Sequence, residues 1–181
     1  MKFDHELAKL AKQAFDQKHS QERWTLLQEN LAAWQGRTYG YQPAHRFILG
    51  IAEEFLWELS ETSDHEDAIS DACIYTIQLA TAWRLDVGVL INHNVFPNNR
   101  RIPARAWLGA VCQVQLKHEQ QIRGCADEHE ARAAMAWALS HFFTEMIIEH
   151  AGGDVNYFYT YVTSTASTVM TRTKQLPTLN S

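Results

Sequence analysis

Acidic residues between positions 54 and 71 carry the clearest chemical pattern in the sequence. Glu54 and Glu58 are four residues apart, and so are Asp67 and Asp71. In an α-helix, residues four apart lie on the same face, one turn above the other. We therefore expect each pair to present two carboxylates from one side of its helix.

The segment between the two pairs predicts a turn from one helix into the next. Ser63 and Glu66 match the capping box, in which a serine caps a helix and a glutamate three residues later completes the cap. We expect one helix over residues 43–61, which starts at a proline, and a second helix from Ser63 over residues 63–85.

An antiparallel hairpin of these helices brings the two acidic pairs together. Glu58 then lies opposite Asp67, and Glu54 lies opposite Asp71. Carboxylates within a few ångströms repel one another and raise one another's pKa values. A hard divalent cation removes that repulsion, and an all-oxygen ligand set suits Mg²⁺, with Mn²⁺ as the alternative. The opposing interpretation is an ordinary solvated helix face near a hairpin tip.

Other common metal and phosphate motifs do not occur in the sequence. There is no Glu-x-x-His, which disfavours a ferritin-like di-iron bundle. There is no His-Asp dipeptide of the kind found in many metal-dependent phosphohydrolases. Neither HExxH nor GxxxxGK[ST] is present, so a zincin helix and a P-loop are both excluded.

The two helices and the segment before them resemble a known family. The run WQGRTYGYQPAHRFILGIAEEFLWEL, followed by DAISDACIYTIQLATAWRLDV, is similar to the all-α nucleoside triphosphate pyrophosphohydrolases, the MazG-like and dimeric dUTPase group. The resemblance covers residues 34–87 of the 181. In that family an EExxE helix and an ExxD helix supply the magnesium ligands.

Both acidic motifs of this chain are one residue longer than the family pattern. The first reads EExxxE over residues 53–58, with Trp57 where the last acid of the family would fall. The second reads DxxxD over residues 67–71, with Ala68 at the first acid of the family. Each motif still places two acids on one helix face.

The resemblance implies a Mg²⁺-dependent enzyme that splits a (deoxy)nucleoside triphosphate into the monophosphate and pyrophosphate, and so removes unwanted nucleotides. It also implies a homodimer. The metal ligands would be Glu54, Glu58, Asp67 and Asp71. Glu53, beside them, is the candidate for orienting or deprotonating the attacking water. The alternative is a catalytically degenerate helical bundle that binds nucleotides or a protein partner.

A faint internal repeat indicates two related hairpins. A Pro-Ala pair leads to a Leu-Gly pair over residues 43–50 and again over residues 103–109, and an Asp-Val pair follows each hairpin at 86–87 and 154–155. The predicted fold class is thus an all-α helical bundle of two pseudo-repeated helical hairpins plus N-terminal helices.

This prediction assigns the whole chain, residues 1–181, to a single domain. Its first part, residues 35–87, is the metal-binding hairpin, and residues 103–172 form a degenerate second hairpin. In the second hairpin, Lys117 occupies the position of Glu58. We expect Lys117 and Arg123 to face the metal-bound triphosphate, with ordinary surface cations as the alternative interpretation.

The composition is typical of a helical protein and limits its expected partners and cellular location. Only 8 glycines and 4 prolines occur, about half the usual share. A formal net charge of −5 argues against nucleic acid or an anionic membrane as a partner. Three cysteines without a CxxC motif favour free thiols, and no apolar run approaches ~18 residues. We therefore expect a cytoplasmic protein that does not span a membrane.

Further local expectations concern the two ends of the chain and the aromatic residues. One helix begins near Asp4 and a second is capped by Ser20. Residues 156–174 are rich in β-branched side chains, yet a lone strand would have no partner, so a helix is expected. Tyr39 and Tyr41 are candidates for stacking on a nucleobase. Five tryptophans are expected in the core: Trp34, Trp57, Trp83, Trp107 and Trp137.

Overall fold

The computed structural model describes residues 2–61, 63–92, 102–122 and 128–173. Its α-helices are α1 (Lys2–Thr38), α2 (Ala44–Ala52), α3 (Leu59–Glu61), α4 (His65–Ala82), α5 (Val87–Asn92), α6 (Ala104–Ile122), α7 (Glu128–Ala151) and α8 (Val155–Thr173). A π-helical segment, Glu53–Glu58, connects α2 to α3. No strand occurs within the described ranges, so the predicted all-α class is confirmed. None of the helices described there is both long and apolar enough to cross a membrane.

Two pairs of neighbouring helices form hairpins, and α4 lies at the centre of the bundle. Helix α2 packs against α4, and α6 packs against α7. Helix α4 also contacts α1, α7 and α8, which explains why it is buried on most of its circumference. The predicted second hairpin, residues 103–172, is therefore a hairpin of α6 and α7 followed by a helix, α8, that returns to α4.

The repeated dipeptides of the sequence mark helix starts in both halves. Asp86 Oδ1 accepts a hydrogen bond from the Val89 N–H (3.3 Å) at the start of α5. Asp154 Oδ1 accepts one from the Tyr157 N–H (3.0 Å) at the start of α8. Both Pro-Ala pairs likewise begin helices, α2 and α6. The aspartates act as helix N-caps, which is why this residue type recurs there.

The N-terminal region is one helix rather than the predicted two. Helix α1 passes through Ser20 without a break. No glycine or proline occurs before Gly36, so nothing in this stretch interrupts the ladder of main-chain hydrogen bonds. Residues 35–38 belong to the last turn of α1, and the first hairpin therefore spans residues 44–82.

Helix α4 starts one residue later than the capping box predicts. Asp64, not Ser63, is its N-cap, because Asp64 Oδ1 accepts a hydrogen bond from the Asp67 N–H at 3.2 Å. Aspartate and serine are N-caps of similar strength. The sequence therefore located the helix start correctly to within one residue but did not identify the capping side chain.

The tryptophans divide between the core and the surface. Three are buried as predicted: Trp34, Trp83 and Trp107. The prediction is wrong for Trp57, which is 69% exposed, and for Trp137, which is 57% exposed. Phe55 takes the buried position in the π segment, and a side chain two residues further along a helix points to the other side.

The last helix, α8, confirms the helical assignment of the segment rich in β-branched residues. Phe158, Val162 and Ala166 are fully buried. Their spacing of four residues forms one stripe along α8, which packs on α4, α1 and α7. Tertiary packing of this stripe outweighs the strand preference of the individual residues.

Candidate metal centre and adjoining cavity

The acidic motif EExxxE coincides with the π segment. The Leu59 N–H donates to the Glu54 carbonyl oxygen, five residues back instead of the four of an α-helix. A turn closed in this way contains one residue more than an α-helical turn. The backbone thus accommodates the residue by which this motif exceeds the EExxE pattern, and the helix continues into α3.

Glu54 is surrounded by other acids. It is half-buried, hydrogen-bonds to Glu58, and lies within the electrostatic reach of Asp71 on α4 and of Glu53. Burial, followed by the hydrogen bond and the negative charges of these neighbours, raises the pKa of Glu54 to about 8. At pH 7 this carboxyl group therefore retains its proton unless a cation neutralises its neighbours.

The structure brings together only part of the predicted ligand set. Glu54, Glu58 and Asp71 converge, as the antiparallel hairpin requires. Asp67 is exposed in the first turn of α4 and is not among the charges that act on Glu54. The predicted contact between Glu58 and Asp67 therefore stays a prediction.

The acids are of the right chemical type to bind a hard cation, but their side chains are not arranged around a single point. In the part of the chain that the structure describes, no three His, Cys, Asp or Glu side chains already form a metal-ligating group. The converging donors are all carboxylate oxygens, which Mg²⁺ and Mn²⁺ prefer. A cation would displace the proton that Glu54 retains. Glu53 and Glu58 are exposed, so a cation can approach them from solvent.

A cavity of about 540 Å³ adjoins these acids, a volume typical of small-molecule sites. Glu53 and Asp71 form part of its wall, so the cavity and the acidic group are continuous. The wall is otherwise aromatic, amide and apolar, with one arginine: Trp34, Gln35, Tyr39, Gln42, Arg46, Phe47, Leu49, Gly50, Ile74, Tyr75, Gln78 and Val169.

Tyr75 lies where the acids meet the cavity. Burial raises the pKa of its hydroxyl group, and the charges of Glu54, Asp71 and Glu53 raise it further. Its ring packs on Gly50, where a Cβ atom would come within 2.8 Å of the ring carbons. Sequence reasoning missed Tyr75. The available signal was its spacing of four residues from Asp71 along α4.

A short hydrogen-bonded chain orders the cavity wall at the start of α2. Arg46 Nη1 donates to Gln42 Oε1 at 3.2 Å, and Gln42 Nε2 donates to the Tyr39 carbonyl oxygen at 2.9 Å. The rings of Trp34 and Tyr39 meet edge to face, with centroids 5.5 Å apart. Tyr39 thus lies where a base could stack, whereas Tyr41 does not line the cavity and is 88% exposed.

Of the two predicted phosphate-binding cations, the structure describes Lys117. Lys117 is exposed on α6 and is not among the charges that act on Glu54, which within the described residues are Glu58, Asp71 and Glu53. Arg123 lies outside the described residues. The roles of both residues therefore remain predictions.

No protein-family model, curated protein or solved structure matches this chain. The described fold and site alone therefore define its class: an all-α bundle with a group of carboxylates beside a ligand-sized cavity.

Proposed function

We propose that this protein is a Mg²⁺-dependent nucleoside triphosphate pyrophosphohydrolase, which cleaves a (deoxy)nucleoside triphosphate to the monophosphate and pyrophosphate. The observation that supports this proposal best is the convergence of Glu54, Glu58 and Asp71 beside a cavity large enough for a nucleoside. The resemblance of residues 34–87 to the MazG-like group supports the same reaction.

The acids would hold the metal and direct the water. Glu54, Glu58 and Asp71 are the proposed ligands, with Asp67 as a fourth. Mg²⁺ held there would stabilise the charge on the phosphates and would lower the pKa of the attacking water. Glu53 lines the cavity next to this group and would orient the attacking water and take its proton. The oxygen of this water would bond to the α-phosphorus while the bond from the α-phosphorus to the α,β-bridging oxygen breaks, so that the monophosphate forms and pyrophosphate leaves.

The cavity would hold the nucleoside part of the substrate. Tyr39 and Tyr75 provide aromatic surface in its wall, and Tyr75 also adjoins the acids. Lys117 and Arg123 of the second hairpin are proposed to offset phosphate charge. We further propose that the enzyme is a cytoplasmic homodimer that removes unwanted nucleotides from the pool.

Product analysis with separate detection of pyrophosphate and phosphate tests the proposal. The protein is incubated with a panel of standard and modified (d)NTPs, in Mg²⁺ or in EDTA. We expect Mg²⁺-dependent pyrophosphate release that falls at least ~100-fold in Glu54→Gln and in Asp71→Asn. Glu61→Gln, an exposed acid on the same hairpin, is the matched control and should keep its activity.

The opposite result would identify a binding protein. Absence of turnover on every nucleotide, together with no stabilisation by Mg²⁺, would reject the catalytic proposal. The chain would then be a helical bundle that binds a nucleotide or a protein partner.

A further inference from the structure

We infer that the cavity selects nucleotides of 6-oxopurines, namely guanine and hypoxanthine, and that Arg46 is the residue that selects them. The inference rests on the proposed function, because it takes the phosphates to lie at the acids. It concerns the opposite end of the ligand, for which the acids provide no recognition.

Helix α2 spaces the two charged parts of the cavity wall. Arg46 and Glu53 both line the cavity and are seven residues apart. Seven residues are about two helical turns, so the two side chains share a face and are separated by about 10 Å along the axis. A nucleotide with its phosphates at Glu53 and Asp71 therefore extends its base towards Arg46.

The distinctive hydrogen-bonding group at this end of the cavity wall is the guanidinium group of Arg46. Arg46 has five N–H donors and no acceptor, and the Gln42 amide is already engaged through both its oxygen and its nitrogen. Gln35 and Gln78 can both donate and accept, so they do not discriminate between bases.

The guanidinium group of Arg46 matches one class of base. Guanine and hypoxanthine present two neighbouring acceptors, O6 and N7, which a guanidinium group binds in a bidentate manner. Adenine places an amino donor where they carry O6, so one donor would face another at Arg46. Cytosine and uracil lack the N7 acceptor. Arg46 is exposed, so water solvates its donors when a base lacks the matching acceptors, and the preference is expected to be modest.

Calorimetric binding of non-cleavable analogues in Mg²⁺ tests the inference without requiring turnover. The probes are the α,β-methylene triphosphates of guanosine, 7-deazaguanosine and adenosine. We expect the guanosine analogue to bind about tenfold more tightly than the other two. In Arg46→Met the three affinities should become equal, because the side chain that reads N7 and O6 is gone.

Two further variants keep the test specific. Arg46→Lys retains the charge but not the planar pair of donors, so it should also lose the preference. Arg37→Met removes an exposed arginine that is in the last turn of α1 and does not line the cavity, so it should keep the preference. Thermal melts of each variant establish that it is folded.

The outcomes separate this inference from the proposed function. Equal binding of guanosine and adenosine analogues, no binding of either, or an unchanged preference in Arg46→Met overturns the inference. Selective binding of the guanosine analogue with no hydrolysis of any nucleotide upholds the inference and rejects the pyrophosphohydrolase. Equal hydrolysis of the nucleotides of all bases, with no preference in binding, upholds the pyrophosphohydrolase and overturns the inference about base selection.

Discussion

The ring of Tyr75 on α4 rests directly on the backbone of Gly50 on α2, and a methyl group at Gly50 would come within 2.8 Å of it. This contact sets how closely the two helices of the first hairpin approach. Gly109 follows a leucine in the second hairpin just as Gly50 does in the first, but no atom of the described residues lies within 4 Å of where a Cβ atom would stand. The two glycines therefore make a matched pair.

Alanine substitution should act in opposite directions at these glycines. Gly50→Ala should destabilise the protein by about 1–3 kcal/mol, because the Tyr75 ring must shift away from α2. Gly109→Ala should stabilise it by about 0.5–1 kcal/mol, the usual preference for alanine in a helix. Chemical denaturation measures both. A stabilising Gly50→Ala would mean that the contact with Tyr75 does not limit the approach of the helices.

The protonation of Glu54 predicts how stability depends on pH when metal is absent. The pKa of Glu54 is raised from 4.5 to about 8 in the folded protein. Its favourable contribution is therefore complete below pH 4.5 and is lost as the pH rises through 8. In EDTA the melting temperature of the wild type should fall between pH 4.5 and about 8 more steeply than that of Glu54→Gln.

Glu61→Gln is the control for this pH series and should follow the wild type, because Glu61 is exposed and does not act on Glu54. Mg²⁺ at millimolar concentration should reduce the difference between wild type and Glu54→Gln at pH 9, since a cation takes the place of the lost proton. Parallel curves for wild type and Glu54→Gln in EDTA would contradict the raised pKa.

If the proposed site binds Mg²⁺, the resulting stabilisation should depend on Asp71 more than on Asp67, the two aspartates of α4. Asp71 acts on Glu54, whereas Asp67 does not. We therefore expect Asp71→Asn to abolish the Mg²⁺-induced rise in melting temperature and Asp67→Asn to retain most of it. If both variants lost the Mg²⁺-induced rise equally, Asp67 would be a metal ligand as Asp71 is, which is what the sequence predicts.

The start of α4 provides a test of the observed helix cap. Asp64→Ala should cost about 1 kcal/mol of unfolding free energy, because the Asp67 N–H loses its acceptor. Ser63→Ala should cost little, as Ser63 is exposed and lies outside the helix. If Ser63→Ala proved the more damaging change, the capping box of the sequence would describe the helix start better.

Much of the fold followed from local chemistry. Hydrophobic spacing and turn residues predicted the hairpin helices, and Pro43 and Pro103 marked the starts of α2 and α6. The predicted break at Ser20 failed because a good capping residue is also tolerated inside a helix that nothing interrupts. A capping residue therefore predicts a new helix only where a residue that ends the previous helix, such as glycine or proline, precedes it.

The site was less predictable than the fold. The spacing of Glu54, Glu58 and Asp71 indicated their convergence because a hairpin fixes which residues face each other. Arg46 and Tyr39 carry no such periodic signal. They enter the wall of the cavity only because the end of α1, the following turn, α2 and α4 meet in three dimensions.

The π segment also acts as a shift of angular register within one continuous helix. An additional residue rotates everything that follows it by about 100° relative to α2. The face of α2 that lines the cavity therefore does not continue along α3. The hairpin tip presents other side chains than an uninterrupted α-helix of the same sequence would place in line with Arg46.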